Sequence, residues 1–419
     1  MNAKRSEQAE RLRQRLNNEL KRVSLDHCVK CTLCEQSCPV APVTTLFTGP
    51  KFVGPQAERF REGDSVDHSV DYCSSCSTCT VVCPQGVKVA EINSLARAVM
   101  RAEQGVPLRD RLIVNTTMMG KMMTPVAPIA NAVLGNSLAR GLMEGLVGVA
   151  KDAAMPTART QTLHGWLKKR PKPTKAPTRG PIVFFHGCAG GYFEVDASKK
   201  AIEVLEYLGF DVRVPKQGCC GLAAQSNGLF DEASDSVLKL VDDLNKAGSE
   251  LTIVSTAGSC AGMLKHEAHE ILGLDDPKLL SAGARIRELS EFLMELYEAG
   301  ELPTDFQPVN MRLPYHQPCQ VRSQGMGMPA ADLLRLIPGL EVIESGATCC
   351  GIAGTYGLKK EKYEIGQAVG KPLFDMVAAT NEGMVACDTE TCRWQIEKST
   401  GVETVHPIVL LHRAYGLSN

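Results

Sequence analysis

The chain has no continuous run of about 18 or more strongly apolar residues, the length that a membrane-spanning helix needs. Its longest uncharged stretch, Met122–Ala139, is interrupted by two prolines, two asparagines and a serine. Acidic and basic side chains nearly cancel to a net charge of −1, so the electrostatics give no reason to expect nucleic-acid binding. We therefore expect no transmembrane segment and no nucleic-acid partner.

Two further signals are absent. The N-terminal sequence is charged and lacks the apolar core of a signal peptide, so we expect the thiols to stay in a reducing compartment. No G-x-G-x-x-G motif opens a helix after a strand, so we expect the hydride chemistry of a dehydrogenase to take place on a partner protein. What remains is an ordinary globular composition that contains 17 cysteines in 419 residues, and clustered cysteines in a reducing compartment indicate metal or redox chemistry.

Eight of these cysteines form two copies of one motif. Cys28–Pro39 reads C-x2-C-x2-C-x3-C-P, and Cys73–Pro84 repeats the spacing. This is the bacterial ferredoxin signature, in which three thiolates hold one iron–sulfur cluster and the fourth reaches across to the other. The predicted ligands are Cys28, Cys31, Cys34 and Cys83 for one [4Fe–4S] cluster, and Cys73, Cys76, Cys79 and Cys38 for the second. Zinc sites and a disulfide framework are the alternatives, but zinc ribbons use paired CxxC motifs and not a triple followed by Cys-Pro.

The segments around these motifs are predicted to be mainly helical. Residues 4–22 carry seven basic and three acidic side chains and read as a solvated helix, and Val89–Ala102 spaces its apolar residues at helical intervals. Residues 111–150, rich in Met and Leu, are either an amphipathic segment at a membrane surface or a helical pair packed on the ferredoxin domain. Trp166–Pro181 has six basic residues and no acid, and is predicted to be a semi-extended linker that could also favour an anionic membrane surface.

The second half of the chain repeats itself. The corresponding residues are His186 and His316, Cys188 and Cys319, Cys219-Cys220-Gly221 and Cys349-Cys350-Gly351, and Cys260 and Cys392, with offsets of 130 to 132 residues. Strands alternate with helices in each copy, which predicts a parallel sheet. The predicted strands include Pro181–Phe185, Asp211–Val214, Leu251–Ser255, Leu313–Tyr315, Leu340–Ile343 and Met384–Ala386. Ligands of such sheets bind at the carboxyl ends of the strands, where the cysteines fall.

The predicted fold is thus an α-helical ferredoxin domain, residues 1–110, followed by a duplicated α/β cysteine-rich domain of parallel βαβ units. The Met-rich segment and linker occupy residues 111–180, and the two repeats occupy residues 181–300 and 301–419. Four thiolates of each repeat would converge on one point, and two adjacent thiolates suit different irons of an extended cluster better than one iron of a cubane. A vicinal disulfide, a zinc site and free buried thiols remain alternatives.

Three other residues are candidates for a site in this half. Cys387 is the one cysteine left over, either an extra ligand of the second repeat or a small buried hydrophobe. His186 and His316 precede the first cysteine of each repeat. They either contact cluster sulfur and deliver protons at a quinone, or are packing histidines.

The combination resembles the family of the C subunit of anaerobic glycerol-3-phosphate dehydrogenase, from about residue 26 to the C-terminus. The most specific stretches are GPKFVGPQAERFR (Gly49–Arg61), CCGIAGTYGLKKEKY (Cys349–Tyr363) and ETCRWQIEKST (Glu390–Thr400). Iron–sulfur subunits of glycolate and lactate oxidases and the D subunit of heterodisulfide reductase share the architecture. In the last group the cysteine-rich motif ends in CxxC, which supplies a fifth thiolate for a non-cubane cluster; here Ala257 and Thr389 stand at that position.

The resemblance implies an electron-transfer subunit that takes electrons from flavoprotein dehydrogenase subunits and passes them to menaquinone. It also implies peripheral association with the cytoplasmic face of the cell membrane, and one further iron–sulfur cluster in the cysteine-rich region is expected beside the two [4Fe–4S] clusters. The rivals are the same role beside a glycolate- or lactate-type hydroxy-acid dehydrogenase, catalytic disulfide reduction in the manner of heterodisulfide reductase, and a cluster-bearing redox sensor.

Overall fold

The computed structural model of the protein describes residues 3–22, 27–56, 66–171 and 176–417. The end of the stretch Gly49–Arg61 and residues 172–175 of the predicted linker lie outside the described residues. Among the described residues no helix is both long and apolar enough to cross a membrane.

The described ferredoxin part consists of helices, turns and loops. Its helices are Ala3–Arg22, Leu33–Gln36, Thr78–Val81 and Val89–Gln104, with 3-10 turns at Ala41–Val43 and His68–Tyr72 and a π turn at Phe52–Gln56. The first helix packs against Val89–Gln104 and buries Leu12 and Leu16, which are four residues apart. The expectation that residues 4–22 are a solvated helix is therefore wrong for one face.

Short helices connect the ferredoxin part to the repeats. They are Leu108–Ile113, Thr116–Met123, Ala127–Gly135, Ser137–Val147 and Leu163–Lys169, with a 3-10 turn at Thr124–Val126. The helix Thr116–Met123 packs against Gly187–Tyr192 of the first repeat, and a side chain at Gly120 would collide with the ring of Tyr192. The predicted semi-extended linker is wrong at its start, because Trp166 to Lys169 belong to a helix.

Each repeat contains a four-stranded parallel sheet. The strands are β1 Pro181–Phe185, β2 Asp211–Arg213, β3 Ile253–Ser255 and β4 Ile286–Glu288 in the first repeat, and β5 Met311–His316, β6 Leu340–Glu344, β7 Met384–Cys387 and β8 Glu403–Val405 in the second. The strand orders β2-β1-β3-β4 and β6-β5-β7-β8 are equivalent, and every pairing is parallel. The predicted α/β architecture is present; β4 and β8 were not predicted.

The helices that cover these sheets have the following bounds. The first repeat has Gly187–Tyr192, Val195–Tyr207, Leu222–Ser226, Phe230–Asn245, Gly258–Gly262, Ala268–Glu270, Pro277–Arg285 and Leu289–Glu298, with a π turn at Met263–Glu267. The second has Cys319–Arg322, Pro329–Arg335, Lys360–Thr380, Glu390–Thr400 and Pro407–Ala414, with a 3-10 turn at Tyr356–Leu358.

The apolar cores tie the parts of the chain together. One core runs from the ferredoxin helices, through Leu95, into the first repeat at Val183 and Phe230. A second core joins the two repeats, with Ile202 of the first and Leu411 of the second among its buried residues. Because the cores cross these boundaries, the cysteine-bearing loops of all three parts are held in fixed positions relative to one another.

Candidate iron–sulfur sites

The four predicted ligands of the first cluster line one cavity near the surface. The lining of this cavity consists of Cys28, Cys31, Cys34 and Cys83 together with Pro84 and Lys51, among other residues. Cys31 is exposed to solvent, and burial raises the pKa of Cys34 to about 11. The structure thus brings the fourth cysteine of the second motif to the three cysteines of the first, as the crossed ligand set requires.

The predicted ligands of the second cluster lie deeper. Cys76 and Cys79 are buried. Burial also raises the pKa of Cys38 to about 12, with smaller contributions from the neighbouring thiols Cys76 and Cys73. The pKa of Cys79 is in turn raised by burial and by the same three thiols, so Cys38 of the first motif stands with the triplet of the second.

Both ferredoxin loops have the same unusual backbone. Lys30 and Thr32 flank Cys31 with φ angles of 59° and 68°, and Ser75 and Ser77 flank Cys76 with φ angles of 54° and 59°. Non-glycine residues rarely adopt the left-handed region, and such strain is concentrated at functional sites. The left-handed residues on either side of the central cysteine bend each loop around its three thiols. The sequence pattern does not reveal this backbone conformation.

The thiols of the first repeat form a group of four. The Cys220 thiol donates to the sulfur of Cys260 at 3.1 Å. Hydrogen bonds from Cys188 and then Cys220 hold the pKa of Cys219 well below its ordinary value. Such a group stabilises a thiolate in advance of ligand binding, and the thiolate is the metal-binding form.

The second repeat has the same arrangement. The Cys350 thiol donates to Cys392 at 2.9 Å, and a hydrogen bond from Cys319 is the main cause of the strongly lowered pKa of Cys349. The structure therefore brings together all four predicted cysteines of each copy.

The fold requires the glycine that follows each Cys-Cys pair, at Gly221 and Gly351. Gly221 and Gly351 have φ angles of 82° and 86°, and their backbone N–H groups donate to Cys219 at 3.4 Å and to Cys349 at 3.3 Å. A side chain at Gly221 would lie 2.6 Å from the carbonyl oxygen of Ala233, and one at Gly351 would collide with the backbone of the helix Lys360–Thr380. The positive φ and the close approach both require glycine at this position.

Both thiol groups face one large cavity. Its volume is about 160 Å³, and its lining includes all eight of these cysteines. Apolar side chains of the connecting segment, among them Ile113, Met119 and Met155, form another part of the wall together with Trp394. Thiols and apolar surface therefore meet in a single space between the repeats.

The loop of the second ferredoxin motif adjoins the second repeat. Gln320 donates to the carbonyl oxygen of Ser75 at 2.9 Å, and Ser75 also lines the large cavity. After burial, the charge of Cys349 is the largest influence on the pKa of Cys76. The predicted second cluster is thus next to the thiols of the second repeat.

The two histidines have different surroundings. His186 is buried against His164, and burial lowers its pKa to about 3; its Nδ1 contacts the carbonyl oxygen of Gly187. His316 is buried beside Cys349, its pKa is lowered to about 4, and its Nδ1 contacts Ser345 Oγ at 3.0 Å. Both rings are neutral near pH 7. The charge of Cys349 acts on His316, and the binding role of both histidines stays a prediction.

Cys387 and the residues around the cavity show whether a fifth thiol is available to the second repeat. Cys387 is fully buried and contacts Cys392, but it is not among the residues that line the cavity. Thr389 pairs with Ser259 across the two repeats at 3.2 Å. Glu390 of the second repeat lines the cavity, and its charge raises the pKa of Cys188 in the first repeat. The sequence did not indicate this placement.

The connecting helices expose an unusual number of apolar side chains, here called the apolar helix surface. Its members are Leu108, Leu112, Met118, Met122, Val126, Ile129, Val133, Leu138, Leu142 and Leu146. Exposed cations of the same segment are Arg111, Lys121 and Lys151. Large exposed apolar patches mark surfaces that contact proteins or membranes. The segment is therefore helical, one of its helices packs on the first repeat, and its outer face is exposed. Contact of this face with a membrane stays a prediction.

The donor sets suit clusters better than single ions. Among the described residues, no group of three or more His, Cys, Asp or Glu side chains is arranged to hold one metal ion. Iron–sulfur ligation has a different geometry, because each thiolate binds its own iron atom of the cluster. Sets of four cysteine thiols are the donor chemistry that such clusters require.

The fold and these thiol sites define an iron–sulfur protein with a ferredoxin-type part and a duplicated cysteine-rich part. Comparison with known families agrees: residues 24–87 match the 4Fe-4S dicluster domain, and residues 182–265 and 313–397 match the cysteine-rich domain.

The chain is 34% identical to the C subunit of the anaerobic glycerol-3-phosphate dehydrogenase of Escherichia coli (strain K12), over 93% of this chain and 98% of that protein. It is 24% identical to the probable glycolate oxidase iron-sulfur subunit of Bacillus subtilis (strain 168), over 93% and 94%. It is 23% identical to the D subunit of the dihydromethanophenazine:CoB–CoM heterodisulfide reductase of Methanosarcina barkeri, over 88% of each chain.

The chain belongs to the family of the C subunit of anaerobic glycerol-3-phosphate dehydrogenase. It is an iron–sulfur electron-transfer subunit that carries [4Fe–4S] clusters, and the predicted family is confirmed.

Proposed function

We propose that this subunit takes electrons from flavoprotein dehydrogenase subunits that oxidise glycerol 3-phosphate, and passes them to menaquinone at the cytoplasmic face of the cell membrane. The observation that carries the proposal is the series of adjoining thiol sites. It runs from the exposed Cys31, through the buried Cys76, to Cys349 and the large cavity.

The chain's own residues have defined roles in this proposal. The crossed sets Cys28, Cys31, Cys34, Cys83 and Cys73, Cys76, Cys79, Cys38 hold the two [4Fe–4S] clusters. Such clusters supply one-electron transfer, with potentials set by charge, hydrogen bonds and burial. The protein influences these potentials through backbone N–H groups that donate to the cysteine sulfurs and through the burial of the loops.

The cysteine-rich half is proposed to hold at least one further cluster. Cys319, Cys349, Cys350 and Cys392 are the favoured ligands, because this repeat adjoins the second ferredoxin loop. Cys188, Cys219, Cys220 and Cys260 offer the same donor set in the first repeat. With Ala257 and Thr389 at the position of a fifth cysteine, neither repeat presents the five-thiolate motif of a non-cubane cluster.

The large cavity suits a quinone ring. Its wall combines the thiol sites with apolar side chains from the connecting helices, whose outer faces form the apolar helix surface. A lipid-soluble substrate would reach the thiol sites through this segment without crossing polar solvent. Apolar pockets with a few convergent polar groups are typical small-molecule sites.

Peripheral membrane association is supported by the apolar helix surface and by its exposed cations, which suit anionic headgroups. The helix Leu163–Lys169 adds two lysines in its last turn. The proposal is therefore a protein that lies on the membrane surface and presents residues 108–147 to it.

Iron and sulfide analysis of anaerobically purified protein tests the cluster content first. About eight irons would leave the cysteine-rich half empty, about twelve mean one further cluster and about sixteen mean two. Menaquinol formation is then measured with glycerol 3-phosphate and the co-purified flavoprotein subunits. A chain that is iron-loaded but forms no menaquinol would contradict the proposed role. If the co-purified flavoprotein oxidises glycolate or lactate instead, the substrate assignment is wrong while the electron path stands.

Disulfide reduction at the cysteine-rich sites is a second candidate function, and the convergence of eight thiols on one cavity favours it. It predicts non-cubane EPR signals that respond to an added thiol. Spectra that contain ordinary cubane signals alone would exclude it.

A further inference from the structure

A network of buried charges lies beside the second ferredoxin loop. It contains the cations Arg97, Arg101, Arg109, Lys359 and Lys362 and the anions Asp71, Asp110 and Glu361, here called the charge network. Lys359 and Lys362 come from the second repeat and are only 3% and 2% exposed. Cations therefore outnumber anions, and Glu361, at 41% exposed, is the most accessible side chain of the charge network.

The contacts within the network are close. Lys359 Nζ lies 2.8 Å from Asp110 Oδ2 and donates to Asn227 Oδ1 at 2.6 Å. Lys362 Nζ lies 3.1 Å from Asp71 Oδ1. Arg109 pairs with Glu361 at 2.7 Å and with Asp110 at 2.9 Å. These pairs satisfy each anion and leave an excess of positive charge at mildly acidic pH, where Lys362 is protonated although burial lowers its pKa to about 7.

The excess charge faces the ferredoxin loop that holds Cys73. Arg97 donates to the carbonyl oxygens of Val70 and Cys73 and to Ser75 Oγ. The ammonium of Lys362 lies between the rings of Tyr72 and Tyr356, 5.5 Å and 5.1 Å from their centroids.

A small cavity beside Cys73 shows the same imbalance. Its wall includes Arg97, Lys359 and Lys362, and Asp71 is the one acidic residue among those that line it.

A purely structural role explains these charges poorly. Burying ions costs several kcal/mol each before pairing, and apolar side chains of similar size are often as stabilising as a buried ion pair. An unbalanced group of cations is most stable where another negative charge compensates it. A cluster held by four thiolates is negatively charged and gains one more negative charge on reduction, and net charge is one of the factors that set its potential.

The surroundings of the first cluster site are balanced by comparison. Lys30 and Lys51 line its cavity, but Lys30 is exposed to solvent, and Glu35 lies close enough to Lys51 and Cys34 for its charge to act on both. Glu91 is the carboxyl whose charge acts on Cys79 of the second site, and burial raises the pKa of this carboxyl. The positive field is therefore concentrated on the second site.

We propose that Lys362, supported by Lys359 and Arg97, is a positioning residue that raises the reduction potential of the second [4Fe–4S] cluster above that of the first. The inference rests on the proposed ligand sets. It gives the electron path its direction: an electron that enters at the exposed first site moves on to the second site because the charge network stabilises the reduced form there.

The test is an EPR-monitored redox titration of the anaerobic full-length protein at mildly acidic pH, with the two ferredoxin clusters resolved as separate signals. Lys362→Gln is expected to lower the ratio of reduced to oxidised second cluster about tenfold at a fixed potential, which is about 59 mV for a one-electron couple. The first cluster serves as an internal reference and should not move. Lys362→Arg should keep the wild-type potential.

Two further variants separate an effect of charge on the second cluster from a general structural defect. Lys360→Gln removes the same charge from a nearby position, where the ammonium is largely exposed and lies 3.3 Å from Glu144, and should leave both potentials unchanged. Asp71→Asn removes an anion of the network and should shift the second cluster in the opposite direction, which a general structural defect would not do.

The outcomes are distinct. Variants that contain both clusters but leave the second potential within about twofold of the wild-type ratio would overturn the inference. The inference would also be overturned if a variant shifted the potentials of both clusters equally. The same holds if Lys362→Gln and Asp71→Asn shifted the potential of the second cluster in the same direction. A wild-type protein without two ferredoxin clusters would instead overturn the proposed ligand sets. If Lys362→Gln does not fold, the sign of the Asp71→Asn shift decides.

Discussion

Replacing the three exposed leucines of the helix Ser137–Val147 tests membrane association directly. Leu138, Leu142 and Leu146 stand at four-residue intervals and are 79%, 67% and 84% exposed. Full burial of a leucine side chain is worth about 1.5–3 kcal/mol, so each contributes about 1–2 kcal/mol when the helix Ser137–Val147 enters the bilayer interface. Together they amount to about 3–6 kcal/mol.

That free energy corresponds to roughly 100- to 10,000-fold in the partition coefficient, since about 1.4 kcal/mol is tenfold. The change is the triple substitution of these leucines by glutamine, which keeps a good helix propensity and adds no charge. Because the replaced side chains are exposed, the free energy of unfolding should change by less than about 0.5 kcal/mol per site.

Co-sedimentation with vesicles of phosphatidylcholine and phosphatidylglycerol is the assay. The wild-type protein should sediment with the vesicles and the triple variant should stay in the supernatant. Leu280→Gln, which replaces a leucine that is 45% exposed in the helix Pro277–Arg285 of the first repeat, is the matched control and should sediment like the wild type. Equal sedimentation of the wild type and the triple variant would refute the reasoning, as would a wild type that does not bind.

Three other predictions follow from particular residues. Cys83→Ser should remove the first cluster and not the second, with a loss of about four irons and of one EPR signal; loss of the second signal instead would contradict the crossed ligands. Lys359→Met removes the cation nearest to Asp110, which keeps its pair with Arg109, and leaves the buried Asn227 Oδ1 without its donor. The free energy of unfolding should fall by about 1–3 kcal/mol in denaturant titrations, and an unchanged value would contradict this. Burial raises the pKa of Glu288 from 4.5 to about 8, so the folded chain keeps a proton that the unfolded chain loses, and stability falls as the pH rises through that window. Glu288→Gln should reduce the fall in the free energy of unfolding by up to about 1.4 kcal/mol per pH unit, measured by denaturant titrations at several pH values. If the free energies of variant and wild type changed in parallel with pH, the prediction would be wrong.

The sequence predicted those parts of the fold that have a strong local pattern. The strand β1 is an apolar run followed by His186, the strand β5 ends at the corresponding His316, and offsets of 130 to 132 residues relate the cysteine motifs. The duplication and the parallel sheets could therefore be inferred. The short strands Ile286–Glu288 and Glu403–Val405 were missed because three residues with polar members show no distinct period. Pairing with β3 and β7, and not local preference, makes them strands.

The contacts that shape the sites could not be predicted in the same way. The partners of Lys359 and Lys362 lie 249 and 291 residues away in sequence, at Asp110 and Asp71. A run such as Lys359–Lys362 normally indicates a solvated face, and only the packing of the second repeat against the ferredoxin part buries two of its three lysines. Likewise, the sequence left the fate of residues 111–150 open, because amphipathicity does not say whether an apolar face is covered.

The two repeats share one arrangement of thiols but differ in their neighbours, and this difference separates their roles. The second repeat contacts the ferredoxin loop through Gln320 and places Cys349 beside Cys76. The first repeat has no equivalent of that contact in the described part of the chain, and its thiols instead share the cavity with Glu390. Electrons that leave the second [4Fe–4S] cluster would therefore reach the second repeat before the first. If iron analysis finds one further cluster, the second repeat is its expected site, and the first repeat then acts as the opposite wall of the substrate cavity.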